Sequence, residues 1–409
     1  MELKWKFAAT DFEWAVSLNR HMLKIVGLWP PDNRDAREIV KSKLRRLYNI
    51  VTLFFILTIP ILMALMRVWG DMILMVENMQ YALPILCAVF KVCILWYKQK
   101  GTGCTKLLFI DLLSLIDMIE IDWTKSKTKK ERDVMLRRAR ITRAIVMSGW
   151  VITILTLIIT FGLPCFGLTA RHTTNLTDFG RPLPIQSYYL YNISTSPRFE
   201  LTLLAQGFTM ITTSLSYCGF DHFLGLLILH VCGQLENLHL RLMHMEMYSN
   251  FNVALKYNVQ DHIRLIRSVE LIDNIFGLML LVIVIFFSIM FCLQGFLLVN
   301  VVHQKSQVSP IQLIWFVTAL VYPFLHMFLC CVVGEILVTQ SEKIHRATYE
   351  YAWYDTDPKA AKNLIMITLR ANKTLCITAG KMFPMTMASF CNLLKTSAGY
   401  ISVLLAKQN

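Results

Sequence analysis

The chain has 409 residues, of which 55% are hydrophobic and only 17% charged, and its 41 lysines and arginines outnumber its 27 acidic residues. A soluble protein carries about 25% charged residues, so these charges are too few to cover two or three soluble domains, and a soluble enzyme is excluded. A nucleic-acid-binding protein is excluded because such proteins are polar as well as basic. We therefore expect a membrane protein whose basic excess marks cytoplasmic loops.

Seven apolar runs are long enough to cross a bilayer, which takes about 20 mostly apolar residues. The runs cover residues 47–66, 78–97, 145–168, 201–229, 275–302, 311–338 and 384–405. Lys91 lies in the second run, where we expect it to snorkel toward the nearer interface. Asp221 and His222 lie toward the inner end of the fourth run, where we expect polar contacts at the interface. Lys395 lies in the last run.

The distribution of basic residues sets the orientation of these spans. With a cytoplasmic N-terminus, the inner segments carry 31 lysines and arginines, the outer segments carry 6, and 4 lie within or beside the spans. The positive-inside rule therefore predicts a cytoplasmic N-terminus and an extracellular C-terminus. Glycosylation sequons at Asn175 and Asn192 lie in the outer loop 169–200 and agree, whereas a third at Asn372 lies on the inner side.

The expected fold class is all-α, with seven transmembrane helices and cytoplasmic helical extensions that form an anchor layer. Leu235, Leu238, Leu242 and Met245 continue the fourth run at helical spacing. That spacing predicts an amphipathic helix packed on protein outside the bilayer. The basic turn at residues 125–130 is expected to contact the headgroups of membrane lipid.

The inverted topology excludes a G-protein-coupled receptor, which has its N-terminus outside and an Asn-Pro-x-x-Tyr motif in its seventh span. A set of short motifs along the chain points to another class. These motifs are Gly27-Leu28-Trp29-Pro30, Asp221 with His230 and Gln234, Gly334-Glu335, Gln340-Ser341-Glu342, Trp353-Tyr354, Arg370, Lys373, Ala379-Gly380-Lys381, Phe390, Lys395-Thr396-Ser397 and Tyr400. Together they resemble the insect odorant receptors, specifically an odour-tuned subunit.

The resemblance implies a heteromeric, odorant-gated, non-selective cation channel in the plasma membrane of olfactory sensory neuron dendrites. This chain would be the tuning subunit of a heterotetramer, with the odorant co-receptor as its partner. The co-receptor carries a long insertion between spans four and five, whereas residues 233–270 are short here. The implied parts are helices one to six with the ligand pocket (1–338), a cytoplasmic anchor segment (339–383), and a pore-lining seventh helix with a short outer tail (384–409).

The resemblance also places the odorant pocket in the outer half of the spans, among helices two, three, four and six. A volatile apolar ligand needs an enclosed, mainly apolar and aromatic pocket with one or two polar groups. The candidate ligand-binding residues are Met79, Tyr81, Leu83, Thr153, Leu157, Thr160, Phe208, Ile211, Thr212, Leu215, Trp315, Ala319 and Tyr322. The pore candidates are Thr396, Gly399, Ser402, Val403, Ala406 and Lys407, with Val403 as the apolar gate.

Three other classes of protein were weighed. A gustatory-receptor-like channel shares the implied fold, but its Thr-Tyr, five apolar residues, Gln-Phe signature is missing from the seventh span. A multi-span transporter tends to show internal repeats, and none is evident. An enzyme is not expected, because His230, His303 and His326 are scattered and no GxSxG, HExxH or phosphate loop occurs. We expect no cofactor and no metal.

Overall fold

A computed structural model describes residues 2–29, 36–100, 106–125, 127–166, 176–177, 181–245, 250–303, 310–351 and 358–406, and these are almost entirely helical. The helices are α1 (Glu2–Ile25), α2 (Ala36–Thr52), α3 (Ile59–Arg67), α4 (Met72–Lys100), α5 (Lys106–Thr124), α6 (Lys129–Leu157), α7 (Leu163–Cys165), α8 (Arg198–Met243), α9 (Phe251–His303), α10 (Pro310–Glu350), α11 (Pro358–Ala371) and α12 (Met387–Ala406). π-Helical turns at Leu53–Thr58 and Ile158–Gly162 join α2 to α3 and α6 to α7. A short antiparallel hairpin, β1 (Thr378–Ala379) and β2 (Phe383–Pro384), precedes α12.

Six helical stretches of the described chain are long and apolar enough to cross a membrane. They are Arg37–Arg67, Met72–Ile94, Lys129–Gly162, Arg198–Met243, Phe251–Leu297 and Leu313–Glu350, and six of the seven predicted runs overlap them. The seventh run forms α12, which has 20 residues but is not among the six. Asn392 and Lys395 lower the hydropathy of that helix.

The long helix α8 is the centre of the bundle. It has 46 residues, α6 and α10 pack along it, and α1 and α9 cover further parts of its surface. The predicted amphipathic continuation is part of this arrangement, because Leu235, Leu238, Leu242 and Met245 are all buried in the main core. These leucines pack on other helices of the same chain, as their spacing predicted.

The segment 181–197, which leads into α8, covers one end of the bundle. Ile185 is fully buried in a second apolar cluster with residues of α3 and α4. Pro60 has no backbone N–H to donate to the carbonyl of Ile56, and the Tyr189 hydroxyl donates to that carbonyl instead, at 2.9 Å. The Tyr188 N–H in turn donates to the carbonyl of Pro60 at 2.9 Å. The proline in the first span thus creates an attachment point for this segment.

Two motif residues on α10 hold the start of α12. A Cβ at Gly334 would collide with the carbonyl oxygen of Met385, so only glycine lets that backbone approach α10. The neighbouring Glu335 accepts a hydrogen bond from the Met387 N–H at 3.1 Å. This carboxylate satisfies one of the free N–H groups at the start of α12. Its negative charge also interacts favourably with the positive end of the α12 dipole.

The hairpin before α12 is anchored on α9. Gly380 adopts a φ of 60°, a left-handed conformation that glycine accepts at little cost, and its N–H donates to the carbonyl of Gly277 at 2.8 Å. The Thr378 N–H and hydroxyl both donate to Asp273, at 2.6 and 2.8 Å. These contacts give Ala379-Gly380-Lys381 a structural role, since the hairpin that carries it joins α9 to the last helix.

An ionic network joins α5, α8 and α9 at the far end of the bundle from segment 181–197. Asp122 accepts from Arg264 at 2.9 Å and lies 3.1 Å from His230 Nε2. Arg264 and Arg241 both bind Asp261. Burial alone would raise the pKa of the Asp122 carboxyl, but the hydrogen bond and charge of His230 and the charge of Arg264 outweigh burial and hold that pKa well below its usual value.

Candidate ligand cavity and pore helix

A cavity of about 170 Å³ lies inside the bundle between α4, α6, α8, α9 and α10. Its wall is mostly apolar and holds six aromatic side chains, which are Tyr81, Tyr217, Phe286, Phe287, Trp315 and Tyr322. An engineered apolar cavity of about 150 Å³ binds benzene. The volume therefore suits one small molecule held by burial and aromatic contact.

Eight of the thirteen candidate ligand-binding residues line this cavity. They are Tyr81, Leu83, Thr153, Leu157, Thr160, Trp315, Ala319 and Tyr322. Helix α9 adds four residues that the sequence reasoning did not name, which are Ile283, Phe286, Phe287 and Met290. No signal in the sequence marked them, because the whole of that run is apolar.

The other five candidates lie outside the cavity, and four of them are on α8. Phe208 and Ile211 are about half exposed on the outer surface of the bundle, whereas Leu215 is buried in the core. The Thr212 hydroxyl donates to a carbonyl of its own helix, and Met79 precedes a lining residue on α4. The residues of α8 that do line the cavity are Met210, Thr213, Ser214 and Tyr217.

One part of the cavity wall is organised around Trp315. Its ring stacks on Tyr81 with centroids 5.4 Å apart, and its indole N–H donates to Gln80 Oε1 at 3.1 Å. Pro84 of α4 and Pro323 of α10 also line the cavity. A proline inside a helix removes one backbone hydrogen bond and bends the axis, so both helices that carry this aromatic pair have a weak point beside the cavity.

A charged cluster lies beside the cavity and contacts two of its lining residues, Tyr217 and His326. Lys91 Nζ lies 2.5 Å from Asp221 Oδ2 and donates to the carbonyl of Tyr217 at 3.1 Å. His326 Nε2 lies 2.9 Å from the same carboxylate oxygen, and His326 Nδ1 lies 3.2 Å from the Tyr217 hydroxyl. The cluster links α4, α8 and α10, which are three of the five walls.

The position of Lys91 differs from the one expected from the sequence. Its side chain is only 1% exposed, so the expectation that it snorkels to the interface is wrong. Asp221 also makes an ion pair across helices rather than a contact at a helix end. Ionisable groups within spanning helices are costly and are retained where they are paired or functional.

A second cavity of about 350 Å³ lies between α6, α8 and α10. Tyr322 and His326 line both cavities, and Asp221 and His222 line the second. The charged cluster therefore lies at the boundary between the two cavities. The sequence predicted the first cavity in outline and did not predict this one.

Helix α12 has one packed face and one exposed face. Phe390 and Ser397 are buried, and Phe390 makes aromatic contacts with residues of α9 and α10. The exposed residues include Asn392, Lys395 and Thr396. The outward face of this helix is therefore more polar than the face that packs on the bundle.

Spacing places four of the pore candidates, Thr396, Gly399, Val403 and Ala406, on one face of α12, with Ser402 and Lys407 near the expected outer mouth. Thr396, Gly399 and Ser402 are exposed. Val403 and Ala406 belong to α12, but their side chains lie outside the described residues, as does Lys407. Of the two glycosylation candidates, Asn192 is exposed on segment 181–197, and Asn175 lies outside the described residues.

A sequence profile of the 7tm Odorant receptor family matches residues 71–398 of the chain. The chain belongs to this family of odorant receptors. The match covers every helix that contributes to either cavity and most of α12. Membership agrees with the multi-pass membrane fold and with the absence of enzymatic motifs noted above.

Individual odorant receptors are similar to parts of this chain at low sequence identity. Odorant receptor 10 of Aedes albopictus is 27% identical over 216 residues, 51% of this chain and 56% of the relative. Odorant receptor 85c of Drosophila melanogaster is 23% identical over 319 residues, 74% of this chain and 78% of the relative. The Odorant receptor coreceptor of Aedes aegypti is 25% identical over 153 residues, 37% of this chain and 30% of the relative. In the first of these matches the chain spans about half the length of its relative.

Solved structures show the same fold over nearly the whole chain. The insect olfactory receptor OR5 from Machilis hrabei in complex with eugenol superposes with a TM-score of 0.79 at 15% identity, covering 98% of this chain and 99% of that one. A second structure of OR5 from Machilis hrabei gives a TM-score of 0.78 at 17% identity, covering 96% of this chain and 97% of that one. At this identity the likeness establishes the fold and carries no assignment of ligand.

Proposed function

We propose that this odorant receptor is the tuning subunit of an odorant-gated, non-selective cation channel, and that the 170 Å³ cavity is its odorant site. The observation that carries the proposal is this apolar, aromatic cavity inside a receptor of the family. Burial of apolar surface and aromatic contact are the interactions that a small volatile molecule can make. The relative OR5 from Machilis hrabei was solved in complex with eugenol, a small aromatic molecule.

The second part of the proposal concerns partners and the pore. Four subunits, this one together with the odorant co-receptor, would surround a pore lined by α12, with the N-terminus in the cytoplasm and the C-terminus outside. Support comes from the exposed face of α12, where Asn392, Lys395 and Thr396 would be costly against lipid. Water in a pore satisfies such groups. Val403, on the same face as Thr396, is the proposed apolar gate.

Replacing Trp315 with alanine is expected to weaken odorant potency about tenfold or more, because it removes a buried ring that stacks on Tyr81. The measurement is the half-maximal concentration for a panel of odorants in cells that express this chain with the co-receptor. Phe208→Ala is the matched control, since it removes an aromatic ring from the exposed surface outside the cavity. Unchanged potency in Trp315→Ala, or the same loss in Phe208→Ala, would contradict the assignment.

The pore assignment predicts that two adjacent residues of α12 differ in accessibility. The exposed Cys391 is first replaced by serine so that it does not react. In that background, a cysteine at position 396 (Thr396→Cys) should react with a charged thiol reagent and the channel should lose current, because Thr396 is exposed on the polar face of α12. Ser397→Cys should react several-fold more slowly, since Ser397 is 2% exposed against the bundle. Equal rates at the two positions would remove this face of α12 from the pore.

A further inference from the structure

The wall of the 170 Å³ cavity contains two buried polar atoms that have neither a hydrogen-bond partner nor an ion-pair partner in the described chain. They are Gln80 Nε2 on α4 and Thr160 Oγ1 on the π-helical turn after α6. Gln80 is 6% exposed and Thr160 is 5% exposed. Leaving such a group unpaired is costly in an apolar interior, so each unpaired group in a native structure calls for an explanation.

The orientation of the Gln80 amide follows from its neighbour. The indole of Trp315 can only donate, and it donates to Gln80 at 3.1 Å. The atom that accepts must therefore be the amide oxygen, and the amide nitrogen is the one left without a partner. Trp315 thus presents Gln80 to the cavity as a hydrogen-bond donor, and the Thr160 hydroxyl offers a second donor in the same wall.

We infer that the ligand of this cavity is a small, mainly apolar molecule with a carbonyl-class hydrogen-bond acceptor, such as a ketone, aldehyde or ester, and that Gln80 Nε2 donates to its oxygen. This inference rests on the proposed odorant site and adds the chemical class that the site selects. The aromatic wall binds the hydrocarbon part, and the amide distinguishes an oxygen from a methylene group. A hydrocarbon of the same shape leaves the amide unpaired, so it binds more weakly.

The experiment uses pairs of compounds that differ only at the acceptor. Acetophenone is compared with α-methylstyrene, and 2-heptanone with 2-methyl-1-heptene, where a CH₂ group replaces the carbonyl oxygen. Potency is measured as current in cells that also express the co-receptor, and binding as the rise in melting temperature of the purified receptor. We expect wild type to prefer the carbonyl member by about tenfold, the effect of one neutral hydrogen bond in a buried site.

Gln80→Leu should remove most of that preference by weakening the carbonyl compounds and sparing the alkenes. Gln294→Leu is the matched control, because Gln294 is also a buried glutamine with an unpartnered Nε2, but it lies outside the cavity lining. It should keep the full preference. Thr160→Val tests the second donor with a side chain of nearly the same shape, and should reduce the preference by a smaller factor.

The possible outcomes distinguish a failure of the carbonyl assignment from a failure of the proposed odorant site. If no compound of the panel stabilises the wild-type receptor or evokes a current, the odorant site itself is contradicted. If compounds act but wild type treats the two members of each pair alike, the acceptor class is wrong and the odorant site stands. The same holds if the preference survives in both Gln80→Leu and Thr160→Val.

Discussion

Asp221→Asn is expected to lower the free energy of unfolding by about 3–5 kcal/mol, because it leaves the Lys91 ammonium buried without a counter-ion. Lys91 is only 1% exposed, and Asp221 is the carboxylate that neutralises it at 2.5 Å. Lys91→Met should cost less, since Asp221 then keeps His326 as a partner at 2.9 Å. The double variant should be more stable than Asp221→Asn alone, because it buries neither charge.

The order of melting temperatures tests this account. We expect wild type highest and Asp221→Asn lowest, with Lys91→Met and the double variant between them, measured on the solubilised receptor by fluorescence-detected size exclusion after heating. Lys41→Met is a suitable control, because Lys41 forms an exposed ion pair with Glu38 and such pairs contribute little. A double variant no more stable than Asp221→Asn would show that the charges do not compensate each other.

The cluster also bears on the ligand response. Lys91, Asp221 and His326 come from three helices that line the 170 Å³ cavity, and His326 itself lies in its wall. Loss of the ion pair should therefore loosen the relative positions of α4, α8 and α10. Surviving receptors of the Asp221→Asn variant are expected to respond less to every odorant, in contrast to the ligand-dependent change expected for a wall residue such as Gln80.

Gly334→Ala is expected to destabilise the receptor by about 3 kcal/mol or more, at the upper end of the range for overpacked cores. The added methyl group would collide with the carbonyl oxygen of Met385, and backbone cannot turn aside as a flexible side chain can. Moving that backbone would also break the hydrogen bond between Glu335 and the first turn of α12. Helix α12 should therefore lose its fixed position on α10.

Gly225→Ala is the matched control for this substitution. Gly225 is also inside a long helix, but nothing lies within 4 Å of the position that a Cβ would occupy. Alanine is the better helix former by about 1 kcal/mol, so Gly225→Ala should be neutral or slightly stabilising. The measurements are melting temperature and surface expression in cells. Equal behaviour of the two alanine variants would mean that the close approach at Gly334 is not required.

The helices themselves were largely readable from the sequence. Six of the seven predicted apolar runs overlap helices able to cross a membrane, because hydropathy is a property of a local stretch and needs no knowledge of neighbours. The extension of α8 through Leu235, Leu238 and Leu242 was readable for a similar reason. In that part of the helix the leucines recur at spacings of three and four among polar residues, so the spacing shows which side packs on protein.

The face of α8 that lines the cavity could not be read in the same way. Phe208 and Ile211 point outward, while Met210 and Tyr217 line the cavity. All four are apolar or aromatic, since lipid and protein interior both favour such residues. Successive side chains on a helix differ in direction by about 100°. Where every face of the helix is apolar, the sequence does not show which of two adjacent residues faces the cavity.

What the sequence determined by itself is the class of protein, the approximate helices, the family resemblance and eight residues of the cavity wall. Those features follow from sums over local segments or from short motifs. Only the tertiary structure decided that Lys91 pairs with Asp221, 130 positions away, that Trp315 turns the Gln80 amide into a donor, and that Gly334 admits the backbone of Met385. Each of these depends on which helices meet, and polar partners on different helices leave no periodic trace in either segment.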